Sequence, residues 1–137
     1  QLVALNLSGN DIVDIPFIHS ANLPMVRLDV SSNLITTLPS ILQFTHLQEL
    51  NVTGNIIKTL VPLQTLQQLT RLIAQNCGLE GPWEAVIPAL LSLKVLNVDT
   101  NQNLYLSAPY LRNVTSSSSS SANNVKFNER FPILEIL

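Results

Sequence analysis

Between Leu47 and Leu60 the apolar positions fall at Leu47, Leu50, Val52, Ile57 and Leu60, with Asn55 among them. This spacing is neither the period of about 3.6 residues of a helix nor the plain alternation of a strand. Its first part, LQELNV, does alternate: Leu50 and Val52 share one face, and Glu49, Asn51 and Thr53 share the other, as in a short half-buried strand. The same template fits Leu2, Leu5, Leu7, Asn10, Ile12 and Ile15, then Met25, Leu28, Val30, Asn33, Ile35 and Leu38. A fourth copy has Leu69, Leu72, Ala74, Cys77 and Leu79, and a fifth has Leu93, Leu96, Val98 and Asn101. A sixth begins at Phe131, Leu134 and Ile136.

From Asn10 through Asn33, Asn55 and Cys77 to Asn101 the intervals are 23, 22, 22 and 24 residues. That period and pattern resemble the leucine-rich repeat, whose units run roughly 20–29 residues. The resemblance implies an α/β solenoid, a horseshoe segment with a parallel concave β-sheet and a convex side of short helices, 3₁₀ turns and loops. One turn cannot bury its own leucines, so stacked turns supply the core, at about 1.5–3 kcal/mol per buried large aliphatic side chain. Asn10, Asn33, Asn55 and Asn101, with Cys77 in the same position, form the expected structural ladder: a buried amide there can bond the backbone of its own and the adjacent turn.

Repeats one to five are assigned to residues 1–104, a Ser-rich insertion to 105–130 and the start of the sixth repeat to 131–137. Pro16 should end the first strand-and-turn unit, with Phe17 and Ile18 packing inward. Ile41, Leu42 and Phe44 should turn into the core on the second arc. Leu63, Leu66 and Leu69 recur at threes, as a short 3₁₀ or helical back would place them. NCGLEGP, from Asn76 to Pro82, is similar to a run in the longer receptor-type repeats of plant-like surface proteins, although Trp83 and Glu84 stand where Ile-Pro is usual. Pro82 and Glu84 should open a helix over WEAVIPALLSL, with Trp83, Val86, Ile87 and Leu90 on its apolar face and Pro88 limiting or bending it. In the fifth repeat the pattern slips by one after Asn101, because Leu104 follows where Asn103 holds the usual aliphatic place. The run Ser116 to Ser121 has no core-forming side chain and reads as a spacer loop.

Composition narrows the function. With 46% hydrophobic and 12% charged residues and a net charge of −2, the chain has no basic footprint, so no nucleic-acid partner is expected. The most apolar stretch, from Ala85, contains Pro88 and Lys94 and falls short of the roughly 20 residues a membrane helix needs, so this segment should not insert directly. Cys77 stands alone, which excludes an internal disulfide framework. His19 and His46 lack partners at ligand spacing and lie on different arcs from Cys77, so neither a metal site nor a Cys-His hydrolase is expected. No cofactor is implied. A repeat already under way at Gln1, and a strand still running at Leu137, read as an internal piece of a longer protein. Sequons occur at Asn6, Asn51 and Asn113, about as many as chance gives, with Asn113 the most accessible.

The outward strand positions fall into three columns: Ala4, Arg27, Glu49, Arg71 and Val95; Asn6, Asp29, Asn51, Ile73 and Asn97; Ser8, Ser31, Thr53, Gln75 and Asp99. Glu49 between Arg27 and Arg71 should form a cross-strand charge ladder. The candidate partner contacts on the concave face are Arg27, Asp29, Glu49, Asn51, Arg71, Ile73, Gln75, Asn97 and Asp99. The expected role is non-enzymatic binding of a protein or peptide. Low charge, abundant Asn, Ser and Thr, and the resemblance of the fourth and fifth repeats to receptor-type repeats favour a surface or secreted ectodomain over a cytoplasmic setting; the alternatives are an intracellular scaffold and the docking part of a larger enzyme such as a kinase or cyclase.

Overall fold

The computed structural model describes residues 2–15, 23–105 and 135–136. Pro16, Phe17, Ile18 and His19, the Ser116 to Ser121 run, Asn113, Phe131 and Leu134 lie outside the described residues. The main sheet is parallel throughout: β1 (Ala4–Asn6), β2 (Arg27–Asp29), β3 (Glu49–Asn51), β4 (Arg71–Ile73), then β6 (Val95–Asn97) and β8 (Glu135–Ile136). A second, two-stranded parallel sheet joins β5 (Glu80–Pro82) to β7 (Asn103–Tyr105).

The register of the main sheet aligns the repeats as the template does. Leu5, Leu28, Leu50, Leu72 and Leu96 stand in one row, and Ala4, Arg27, Glu49, Arg71 and Val95 in the next. Leu28, Leu50, Leu72 and Leu96 are buried with Val30, Val52 and Ala74 in one continuous core. At β8 the backbone pairs Leu96 with Ile136, whereas the template aligned Leu134 with Leu96. FPILEIL holds two interleaved sets of aliphatics two residues apart, so the Leu-x-x-Leu spacing alone fits either register.

The backs of the second and third coils are built on threes. In the 3₁₀ helix Pro39–Gln43, Ile41 N–H donates to Leu38, then Phe44 to Ile41 and Leu47 to Phe44, each at 3.0 Å. In the 3₁₀ helix Val61–Thr65 the same chain runs Leu63 to Leu60, Leu66 to Leu63 and Leu69 to Leu66 at 2.9–3.0 Å. Since i→i+3 bonding eclipses every third side chain, all eight of these residues face the core.

The fourth coil differs. The only α-helix of the described residues, α1 (Trp83–Val86), spans one turn, shorter than the WEAVIPALLSL segment suggests. Ile87 is already extended at ψ 121°, because the residue before proline is driven out of the helical region by the ring of Pro88. Val86, Ile87 and Leu90 are nevertheless buried, with Trp83 partly buried beside them. The residues between Cys77 and this turn form β5, where Gly81 has φ +120° and a β-carbon would stand 3.2 Å from Val86 Cγ2. Only glycine fits there without strain. The slip after Asn101 takes physical form here: β7 begins two residues past its ladder position and β5 three, so Leu104 pairs with Gly81 and packs on the core.

Candidate functional site

The outward face of the main sheet carries an open hollow of about 420 Å³ lined across β1 to β4 by Asn6, Arg27, Asp29, Glu49, Asn51, Arg71 and Ile73, among others. It forms because three-residue strands of constant register hold every second side chain away from the core. Of the nine candidate contact residues, Arg27, Asp29, Glu49, Asn51, Arg71 and Ile73 line it. Asn97 follows Ile73 in register on β6, while Gln75 and Asp99 lie beyond the strand ends.

Within the hollow the charges are unequally employed. Glu49 sits in register between Arg27 and Arg71, but its Oε1 accepts from Arg27 Nε at 3.0 Å and, among the described residues, no ion pair reaches Arg71. The expected three-member charge ladder is therefore a pair, since one carboxylate satisfies one guanidinium in this geometry. Asp29 is occupied within the protein: Oδ1 accepts from Ser31 N–H at 2.9 Å and Ser31 Oγ at 2.6 Å, and Oδ2 from Asn51 Nδ2 at 3.1 Å.

The second column has a structural role that the alternation of the strands did not disclose. Asn6, Asp29, Asn51 and Asn97 each accept, through a side-chain oxygen, the N–H two residues on, at 2.9–3.1 Å. These Asx turns bend the chain off the sheet. The signal was present as the repeated pair Asn/Asp then Ser/Thr/Asp two later; Ile73 breaks it. Next comes a left-handed column: Gly9, Ser32, Gly54, Asn76 and Thr100 all have φ between 47° and 69°. Each stands immediately before a ladder position.

The ladder itself joins adjacent coils. Asn33 Nδ2 donates to Leu7 O in the coil before and to Val30 O in its own, both at 2.9 Å, while its Oδ1 accepts from Ile12 N–H at 3.0 Å. Asn55 repeats this with Val30, Val52 and Ile35, and Asn101 with Ala74, Val98 and Leu79. Cys77 replaces only the donating half of the amide. Its Sγ donates to Val52 O at 3.1 Å, and the acceptor for Ile57 N–H is the Cys77 backbone carbonyl, at 2.7 Å. Burial pushes this thiol above its ordinary pKa, partly opposed by backbone N–H groups of Asn55 and Gly54. Asn10 departs from the expectation of burial. It is exposed and bonds only Leu7 O and Ser8 O of its own coil, because β1 has a neighbour on one side alone in the described sheet.

Of the sequons, Asn6 is exposed, Asn51 is half-buried with Nδ2 engaged by Asp29, and Asn113 lies outside the described residues. His46 is exposed, with Thr45 Oγ1 3.5 Å from Nδ1. Among the described residues no three His, Cys, Asp or Glu side chains are grouped to hold a metal ion, and no helix is long and apolar enough to cross a membrane.

No protein-family profile and no curated relative matches the sequence. Among solved structures the chain is similar to a leucine-rich-repeat protein of Leptospira interrogans, with a TM-score of 0.59 and 23% identity over 99% of this chain. The chain spans 37% of the length of that protein. Parallel three-residue strands in constant register, i→i+3 backs and an amide ladder between coils, together with this likeness, establish that the chain has the leucine-rich-repeat solenoid fold.

Proposed function

We propose that this chain is a non-enzymatic recognition module that binds a protein or peptide across the hollow of its main sheet. The supporting observation is the hollow itself: a concavity of about 420 Å³ whose outward side chains are not consumed by the core, on a backbone fixed from coil to coil. Rigid display of side chains on short strands binds with little ordering cost. Within that reading, the low charge and the abundant Asn, Ser and Thr of the sequence suit a receptor-like surface or secreted ectodomain.

The test begins with a partner identified by cross-linking in the native setting. Arg71→Glu and Ile73→Arg, both in the hollow, should each weaken its binding by about tenfold or more, whereas Lys58→Glu on the flank should leave it within about twofold. Equal affinity of all three variants for that partner would remove the sheet face from the interaction.

A further inference from the structure

The hollow contains two guanidinium groups and two carboxylates, yet only one of the four is uncommitted. Arg27 and Glu49 neutralise each other at 3.0 Å, and the Asp29 carboxylate is held by Ser31 and Asn51. Arg71 is exposed, lines the hollow, and has no ion-pair partner among the described residues. Its planar fork of N–H donors fits a carboxylate through two parallel hydrogen bonds. Beside it the face changes character. Ile73 replaces the Asn or Asp of the other coils two residues along the same strand, and Val95 is the register neighbour of Arg71 on β6; both are half-buried and outward-facing. An unpaired cation therefore stands next to an aliphatic step at the β4–β6 end of the hollow.

Resting on the reading of this face as a binding surface, we infer that its partner is an extended peptide segment that places an Asp or Glu side chain on Arg71 and a neighbouring aliphatic side chain against Ile73 and Val95. An internal segment fits better than a chain terminus, because the partner would continue on both sides of Arg71: to Val95 on β6, and along the hollow as far as β1, lined by Asn51, Asp29 and Asn6. These groups can bond peptide amides along the way. Asp29 Oδ2 accepts one bond and retains a lone pair for a peptide N–H.

Selection of random peptides displayed within a loop, so that no free carboxyl terminus is present, tests this with the chain as bait. Wild type should enrich Asp or Glu close to an aliphatic residue. Arg71→Glu should reverse the charge preference to Lys or Arg, and Ile73→Asn should relax the aliphatic preference while keeping the acid. An enriched acidic peptide should lose about tenfold or more in affinity on Glu→Gln exchange in the peptide or Arg71→Gln in the protein, with little further loss when both are made. A motif that is unchanged by Arg71→Glu but lost with Ile73→Arg would overturn the acidic specificity and leave the face as the binding surface. Peptides indifferent to every substitution in the hollow would overturn both readings. Enrichment only from a library displayed with free carboxyl termini would overturn the internal segment in favour of a terminal carboxylate.

Discussion

Asn55 makes one amide serve two coils, and removing it leaves one buried backbone donor with nothing to replace it. Ile35 N–H has Asn55 Oδ1 as its acceptor, whereas Val30 O and Val52 O, which also accept from Asn33 Nδ2 and Cys77 Sγ, would each lose one of two bonds, inside a core where Leu50 and Val52 are sealed from solvent. With a buried unpaired group costing about 1–3 kcal/mol and each lost second bond about 0.5–1.5 kcal/mol, Asn55→Ala should destabilise by about 2–6 kcal/mol, read as a fall in urea midpoint at unchanged slope. Asn10→Ala should cost less than about 1 kcal/mol, because solvent can take over the bonds of an exposed amide. Similar losses at the two positions would contradict the ladder as a buried, inter-coil device. Cys77 shows the same logic through protonation. Its folded pKa is raised above the ordinary 9.0 by burial, so as pH rises through that ordinary value the unfolded chain releases a proton that the folded chain keeps. Stability is therefore lost with rising pH above about 9, and chemical denaturation across that range should show a steeper decline for wild type than for Cys77→Ser. Parallel declines would mean that the thiol is not sealed in the fold.

At the scale of the element, a three-residue strand persists only because its turn delivers the chain to the next coil in register. The turn depends on one left-handed residue per coil, and Thr100, at φ 59°, is the least suited of the five, since a β-branched side chain crowds its own carbonyl there. Thr100→Gly should raise stability by about 0.5–1.5 kcal/mol in thermal or urea denaturation, despite losing the 2.6 Å contact of its hydroxyl with Asp99 O. Destabilisation would show that the hydroxyl outweighs the strain. Legibility in the sequence divides along the same line. The rows Leu28, Leu50, Leu72 and the column Arg27, Glu49, Arg71 could be read because burial imposes a strict identity on the leucines and strand alternation then places their neighbours. The left-handed column could not, since Gly, Ser, Asn and Thr all occupy it and only a backbone angle unites them. The second sheet was hidden for a related reason: EGP and NLY share no side-chain pattern, and their pairing follows from how far the chain has travelled past the ladder. Nor does periodicity tell which of two oppositely charged neighbours Glu49 takes, a choice of rotamer that leaves Arg71 unpaired.

Across the stack of described coils, a solenoid's stability is a sum over interfaces between neighbouring coils, so in the chain Gln1–Leu137 a coil with one neighbour must open before a coil with two. The burial follows this rule. Leu5, Leu7 and Ile12 are only partly covered, whereas Leu28, Val30 and Ile35, their counterparts one coil on, are exposed by 2% or less. The backbone bonds themselves are alike: Leu7 N–H to Asp29 O and Val52 N–H to Ile73 O are both 2.8 Å. Hydrogen exchange separates the two causes, because hydrogen-bond length would give these amides equal protection and coil-by-coil opening would not. The amides of Leu7 and Gly9 should exchange at least about tenfold faster than those of Val52 and Gly54, a difference of about 1.4 kcal/mol in opening free energy. Equal protection would mean that the coils open as one unit. A gradient would mean that the coils bearing Glu49, Arg71 and Ile73 stay closed while the first coil opens, so that the Arg71 and Ile73 end of the face assigned to recognition is held by the part of the stack that has neighbours on both sides.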